Sequence, residues 1–386
     1  MAILIAGYPY IKENYFRTFD YYPDKGSVFF ILPELWKAKG GKLKFSPPNR
    51  NNVFTAGAYF YHSNYPVVGG LLKGWMPAFP SILFKLRKKI NIVYSPSEPI
   101  LLTTLYQGFL AKIMGKKHVI FSWENIPYED KFTGLNLIFK RIIMELNFSF
   151  SDGIICGNKK GQEIFRKLTE KPVAVIPLSG VDTDFFKHED ISKKMGDLDL
   201  IGKIVFNFSG AIGYRKGLDT ILNAFKKVLA QIPEAHLLII GSGEYENNMR
   251  GLIDSLDLSR NLTLISWLNG DGLKKAFNVS DVFLYPSLSY GGWEEQFGYS
   301  MAEASLMELL VITTKTGSIE EVVVDGETGI LIEAGNENQL ADAMIKLGGD
   351  GELRKKMGQT GRRYIENNFS YSGVAVKFYN FFKSIK

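Results

Sequence analysis

What most constrains this chain is one stretch in which an apolar strand runs into a loop of glycines and acids and then into a helix. Asp281-Val-Phe-Leu-Tyr285 is apolar, aromatic and β-branched, and reads as a buried strand. Tyr299 to Leu310 has helical composition, with Met301, Ala302, Ala304, Leu306 and Met307 available for packing. Between the two lie Pro286-Ser287, Gly291 and Gly292, the acidic pair Glu294 and Glu295, and Phe297-Gly298. In an α/β sheet, ligands bind off the carboxyl ends of strands. A helix N-terminus placed there offers free N–H groups and a positive dipole end, which suits phosphate. Glu303, about one turn into the helix, can accept hydrogen bonds from neutral hydroxyls. Glu295 lies on the loop above it. Phosphate on backbone N–H groups and hydroxyls on carboxylates together describe a pocket for a sugar nucleotide.

The same strand–helix alternation runs through the chain. Ala2–Ala6, Ile90–Tyr94, His118–Phe121, Asp152–Cys156 and Pro172–Pro177 read as strands of a first half, and Phe29–Leu32 and Val53-Phe54 add to them. Lys203–Phe208, His236–Ile240, Leu262–Ile265, Leu309–Thr313 and Ile330–Ile332 read as strands of a second. At 386 residues the chain is long enough for two α/β domains. The polar segment 187–202 is the expected linker, so the domains are placed at 1–190 and 191–367. A closing helix follows in 368–386.

Composition narrows the setting. Cys156 is the only cysteine, which excludes an internal disulfide and points to a reducing compartment. Met1 to Ala6 lacks the basic leader of a secretory signal, and no run approaches the ~20 apolar residues of a spanning helix, so a cytoplasmic protein is expected. Residues 1–185 carry 24 Lys and Arg against 14 Asp and Glu, the remainder 22 against 26. The basic half fits an anionic partner, whereas an acidic second half without a recognised module argues against nucleic acid. Within the basic half, 71–89 interleaves Leu71, Trp75, Phe79 and Leu83 with Lys73, Lys85, Arg87, Lys88 and Lys89. That pattern reads either as a peripheral contact with an anionic membrane face or as a core helix with a solvated end.

Glu295-Gln-Phe-Gly-Tyr-Ser-Met-Ala-Glu303 resembles the Glu-x7-Glu signature of retaining glycosyltransferase family 4. Ser209-Gly-Ala-Ile-Gly-Tyr-Arg-Lys-Gly217 is similar to the family's glycine-rich loop, whose lysine falls on Lys216 and whose arginine position holds Ala211. Arg215 is the neighbouring cation, and Gly213 belongs to the loop. Gly241-Ser-Gly243 is similar to the family's Gly-x-Gly turn. Trp267 follows the strand after which the family holds the nucleobase, so the ring either stacks on a base or packs. Where the family often presents a histidine to the donor sugar, this chain has Glu124, followed by Asn125; Glu124 serves either the site or a local cap.

The resemblance implies the GT-B fold: α/β, two doubly wound Rossmann-like domains facing a cleft. It implies transfer of a sugar, with retention and without a metal, from a nucleotide diphosphate sugar (UDP- or GDP-linked) to a glycan or lipid-linked acceptor. That nucleotide sugar would be a co-substrate, with no cofactor. Catalytic roles fall on Lys216, Glu295 and Glu124. Donor binding falls on Arg215, Gly213, Gly241, Trp267, Phe297, Gly298, Tyr299 and Glu303, with Thr316-Gly317 as further N–H donors. Two other classes stay open: a non-catalytic homologue that binds a glycan or partner, and a sugar-nucleotide epimerase.

Overall fold

The computed structural model describes residues 1–38, 41–44, 51–61, 68–189, 191–268 and 270–385, and the chain divides into two compact units. The first comprises Met1–Gly180 with Tyr371–Lys386, the second Val181–Ser370.

The first unit is built on seven parallel strands: β1 (Ile3–Ala6), β2 (Val28–Pro33), β3 (Val53–Ala56), β4 (Ile92–Ser95), β5 (Lys117–Ser122), β6 (Gly153–Cys156) and β7 (Val173–Val175). Their order across the sheet is β3-β2-β1-β4-β5-β6-β7. Alternating side chains feed two cores. Ile3 and Ile5 pack with Tyr10, Phe30, Tyr94 and Phe121 on one face. Leu4 and Ala6 pack with Val93 and with Phe79, Leu83 and Leu86 on the other. These last three lie on helix α1 (Phe79–Leu86), so the apolar stripe of 71–89 faces the core and the membrane reading of that segment loses its apolar face. Periodicity alone cannot separate the two, because a helix against a core and a helix against lipid bury the same kind of stripe. Helices α2 (Leu102–Ile113) and α3 (Gly134–Ser149) cover the strands further along. Among the described residues no helix is long and apolar enough to cross a membrane.

The second unit repeats the plan with six parallel strands: β8 (Ile204–Ser209), β9 (Ala235–Ile240), β10 (Leu262–Ile265), β11 (Val282–Tyr285), β12 (Leu310–Thr314) and β13 (Gly329–Ile332). Their order is β10-β9-β8-β11-β12-β13. The chain first winds one way from β8 and then returns to its other side, so the switch point lies between β8 and β11. Helices α4 (Leu218–Leu229), α5 (Tyr299–Leu306) and α6 (Gly351–Phe369) belong to this unit, and α7 (Tyr371–Ser384) to the first.

The division falls earlier than the polar segment suggested. Residues 191–202 are part of the second unit: Leu200 is fully buried against Val205, Leu238 and Ile240, and Lys193 Nζ reaches Asp281 Oδ2 at 2.6 Å. Charged residues mark a linker only when they stay solvated, and here Asp281 holds one of them down. Asp182 caps the turn at the true boundary, accepting from the Phe185 N–H at 3.0 Å.

Candidate active site

Two loops leave the carboxyl ends of β8 and β11, on either side of the switch point. The first climbs through Gly210–Gly213 into a single 3-10 turn, Tyr214–Lys216. Gly217 then takes φ +69°, and a Cβ there would sit 2.0 Å from the Pro286 carbonyl oxygen. That close approach, together with the Leu288 N–H donated to Arg215 O at 2.8 Å, clamps this loop to the one after β11. The second loop is fastened from the next strand: Thr313 Oγ1 bonds Tyr285 O at 2.8 Å and Thr314 Oγ1 bonds Ser287 O at 2.6 Å.

The clamp brings Lys216 and Glu295 into direct contact, 2.5 Å apart, each under a tenth exposed. Glu295 Oε2 also accepts from Tyr285 Oη at 2.8 Å and Ser287 Oγ at 3.3 Å, while Lys216 Nζ donates to Tyr285 Oη at 2.5 Å. Burial would raise the Glu295 carboxyl, but the charge and hydrogen bond of Lys216 outweigh it and hold it below the usual carboxylate range. Burial lowers Lys216 from the ordinary lysine value, with Glu295 opposing and Arg215 adding to the fall. Burial, then Glu295, push the Tyr285 phenol well up, so it stays a neutral donor. An ammonium has three N–H donors. Two are taken, leaving one for a ligand. The neighbouring turn secures Glu295 from behind: Ser318 N–H donates to Glu295 O at 2.8 Å, and Gly317, at φ +57°, lies so near that a Cβ would come within 2.0 Å of that oxygen. Thr316 N–H bonds Thr314 O at 2.9 Å. The N–H groups of Thr316 and Ser318 therefore serve the protein, and the chain goes on into the 3-10 turn Ile319–Glu321.

Glu303 sits one turn into α5, which starts at Gly298 with φ +78°. Its carboxyl is half-buried and is raised to about 8 by burial. Tyr299 opens the helix. Phe297 is spent on packing: its ring meets Phe369 edge-on at 5.1 Å and Tyr299 at 4.6 Å. Arg215 stacks over Trp293 with Cζ 3.5 Å from the ring centre, its Nη1 buried without a partner. Gly213 has open space where a side chain would be, Ala211 is exposed, and Gly241 packs its backbone on Gly210. Trp267, 61% exposed, has no core to join. Glu124 belongs to the first unit, where it accepts from Lys131 Nζ at 2.6 Å and the Asn125 and Ile126 N–H groups, and so caps its own turn.

Residues 192–364 match the model of glycosyl transferases group 1. The second unit is a glycosyl transferases group 1 domain. A GDP-mannose-dependent monoacylated alpha-(1-6)-phosphatidylinositol monomannoside mannosyltransferase of Corynebacterium glutamicum is 31% identical over 53% of this chain and 55% of its own. The capsular polysaccharide biosynthesis glycosyltransferase CapM of Staphylococcus aureus is 32% identical over 43% of this chain and 42% of its own. The chain thus matches about half the length of these curated relatives. Among solved structures, Anabaena Alr3699/HepE in complex with UDP covers all of both chains with a TM-score of 0.77 at 16% identity. That likeness shows the fold, GT-B with two Rossmann-like domains.

Within the group 1 domain the structure brings Lys216 and Glu295 together, and joins to them Tyr285 and Ser287, which the sequence reading did not single out as site residues. Tyr285 reads as the last residue of a buried strand, and only its place at the carboxyl end distinguishes it. Trp267→Ala is expected to weaken UDP or GDP binding by roughly tenfold, as loss of a stacked base does, without moving the melting temperature. Calorimetry decides, and unchanged affinity removes Trp267 from the donor site.

Proposed function

We propose that the chain is a retaining glycosyltransferase that moves a sugar from a nucleoside diphosphate sugar to a glycan or lipid-linked acceptor in polysaccharide or glycolipid synthesis. The buried Lys216–Glu295–Tyr285 cluster at the switch point carries this reading. When the bond from the anomeric carbon to the diphosphate breaks, the electron pair leaves on a phosphate oxygen. In this reading the remaining Lys216 N–H and the N-terminal end of α5 stabilise that growing charge. Glu303 accepts the ribose hydroxyls, and Glu295, its Oε2 held by Lys216, Tyr285 and Ser287 and its Oε1 accepting the Gln296 N–H at 3.3 Å, orients the donor sugar. A GDP-mannose-dependent relative and a fold neighbour that holds UDP support a nucleoside diphosphate sugar as donor.

Incubation with UDP- and GDP-sugars, followed by NMR, tests this. Slow release of the diphosphate with the donor's anomeric configuration kept is the expected result. Interconversion of donors would indicate an epimerase, absence of turnover a binding protein, and an inverted product would reject retention. Chelation with EDTA is expected to leave the rate unchanged, because the protein itself supplies the positive charge. Inhibition that Mg²⁺ reverses would reject metal independence.

A further inference from the structure

The first unit has its own crevice. Strand order places its switch point between β1 and β4, and off the carboxyl ends of β1, β4 and β5 lies a pocket of about 1030 Å³. Tyr8, Trp36, Leu71, Phe121, Trp123 and Phe139 give it an aromatic, apolar wall. Into this wall come three lysines, Lys12, Lys73 and Lys140. Each ammonium lies over a ring: Lys12 over Tyr15 at 5.1 Å, Lys73 over Tyr8 at 4.7 Å and Lys140 over Phe132 at 4.4 Å. No ion pair with a carboxylate holds any of them among the described residues. The one carboxyl in the wall, Glu98, is bonded by Ser122 Oγ at 2.5 Å and the Trp123 N–H at 2.9 Å. Burial, with the charge of Glu124, raises it to about 7, so near neutrality it cancels less than one of the three positive charges.

The pocket does not end at its rim. Helix α3 contributes Asn136, Phe139 and Lys140 to it. Along the adjoining face of that helix run Leu135, Ile138, Phe139, Ile142 and Leu146, apolar and 43–84% exposed. They share roughly 100° of arc, and Phe139 belongs to both surfaces. A soluble sugar has no use for such a stripe, whereas a hydrocarbon tail leaving the pocket has.

We infer that this pocket is the acceptor site of the transferase proposed above and takes a lipid phosphate, its anionic head among Lys12, Lys73 and Lys140 and its tail passing over Phe139 to a bilayer on which α3 lies. An apolar wall selects the tail, and three ammonium groups, paired by no carboxylate among the described residues, select the phosphate.

Calorimetric titration of the full chain with farnesyl phosphate, farnesol and inorganic phosphate tests the head and tail separately. Farnesyl phosphate should bind at least about tenfold tighter than either alone, and Lys73→Ala and Lys140→Ala should each weaken it by about tenfold, the loss expected for a hydrogen bond to a charged group. Phosphatidylcholine vesicles doped with farnesyl phosphate should carry the protein on flotation. A Leu135→Asp, Ile142→Asp double variant should fall off the vesicles yet still bind dissolved farnesyl phosphate. Equal affinity for farnesol, equal affinity for inorganic phosphate, or lysine variants that bind as wild type would overturn the inference. Binding of UDP or GDP is followed in the same preparation. Nucleotide binding without farnesyl phosphate binding overturns this inference alone, while failure of both nucleotides to bind overturns the transferase reading itself.

Discussion

Lys216→Ala is expected to lower kcat by about 10²–10³, the usual loss when one preorganised donor to a developing oxyanion is removed. It is also expected to cost the fold about 3–5 kcal/mol, because it leaves the Glu295 carboxylate buried without its counter-ion. The second effect has a pH signature. In the native protein the Glu295 carboxyl is held below its ordinary range, so its contribution is present above the unfolded carboxylate pKa of about 4.3 and fades as pH falls through the folded value. In the variant, burial is no longer opposed by an ammonium, the carboxyl moves up, and stability is instead lost as pH rises. The gap in denaturation midpoint between the two proteins should be widest at neutral pH and narrow towards pH 4 to 5. A Lys216→Met, Glu295→Gln double variant should regain most of the stability and none of the turnover. Wild-type turnover in Lys216→Ala would remove the lysine from the mechanism.

The affinity for UDP or GDP should tighten as pH rises, by about tenfold per pH unit between 6 and 7, and level off above 8. Glu303 sets this dependence. Burial raises its carboxyl to about 8, so at neutral pH the empty site is mostly protonated. A neutral acid accepts ribose hydroxyls less well than a carboxylate does, and nucleotide binding must therefore release a proton. The sign carries through to stability. The raised group favours the empty fold below the unfolded carboxylate pKa, and that advantage is lost as pH rises through about 8. Bound nucleotide offsets the loss, so the rise in melting temperature on adding UDP or GDP should grow with pH. Glu303→Gln should bind weakly and with a flat profile. A flat profile in the wild type would sink the ribose role.

Strand–helix alternation and the two glutamates with seven residues between them were legible in the residues, since both depend on local pattern. Contacts between distant segments were not. Lys216 and Glu295 could each be picked out, yet nothing in their spacing of 79 residues announces that they share a proton-bonded contact with Tyr285. The segment 71–89 left two readings open for the opposite reason: its amphipathic pattern was real, and only the structure shows that Phe79, Leu83 and Leu86 pack against β1 and β4. The exposed stripe of α3 escaped notice because Leu135, Ile138, Phe139 and Ile142 have the spacing of an ordinary core helix. Glu98 was overlooked because a carboxylate between two prolines looks like a turn residue.

The chain passes from one unit to the other twice, after Gly180 and after Ser370, and these two crossings are neighbours. Val181 N–H donates to Phe369 O at 2.8 Å, and Val181 bridges to Ser370. Meanwhile Val374, Phe378 and Phe382 of α7 are fully buried beside Ile3, Ile5, Tyr10 and Tyr94. The second unit is thus an insertion spliced into its host at a single gate, with entry and exit side by side. No lone cut in the backbone separates the halves intact: a fragment ending near 180 forfeits the helix that plugs its own interior, whereas 181–370 begins and ends at one spot and can be lifted out or relinked as a closed cassette.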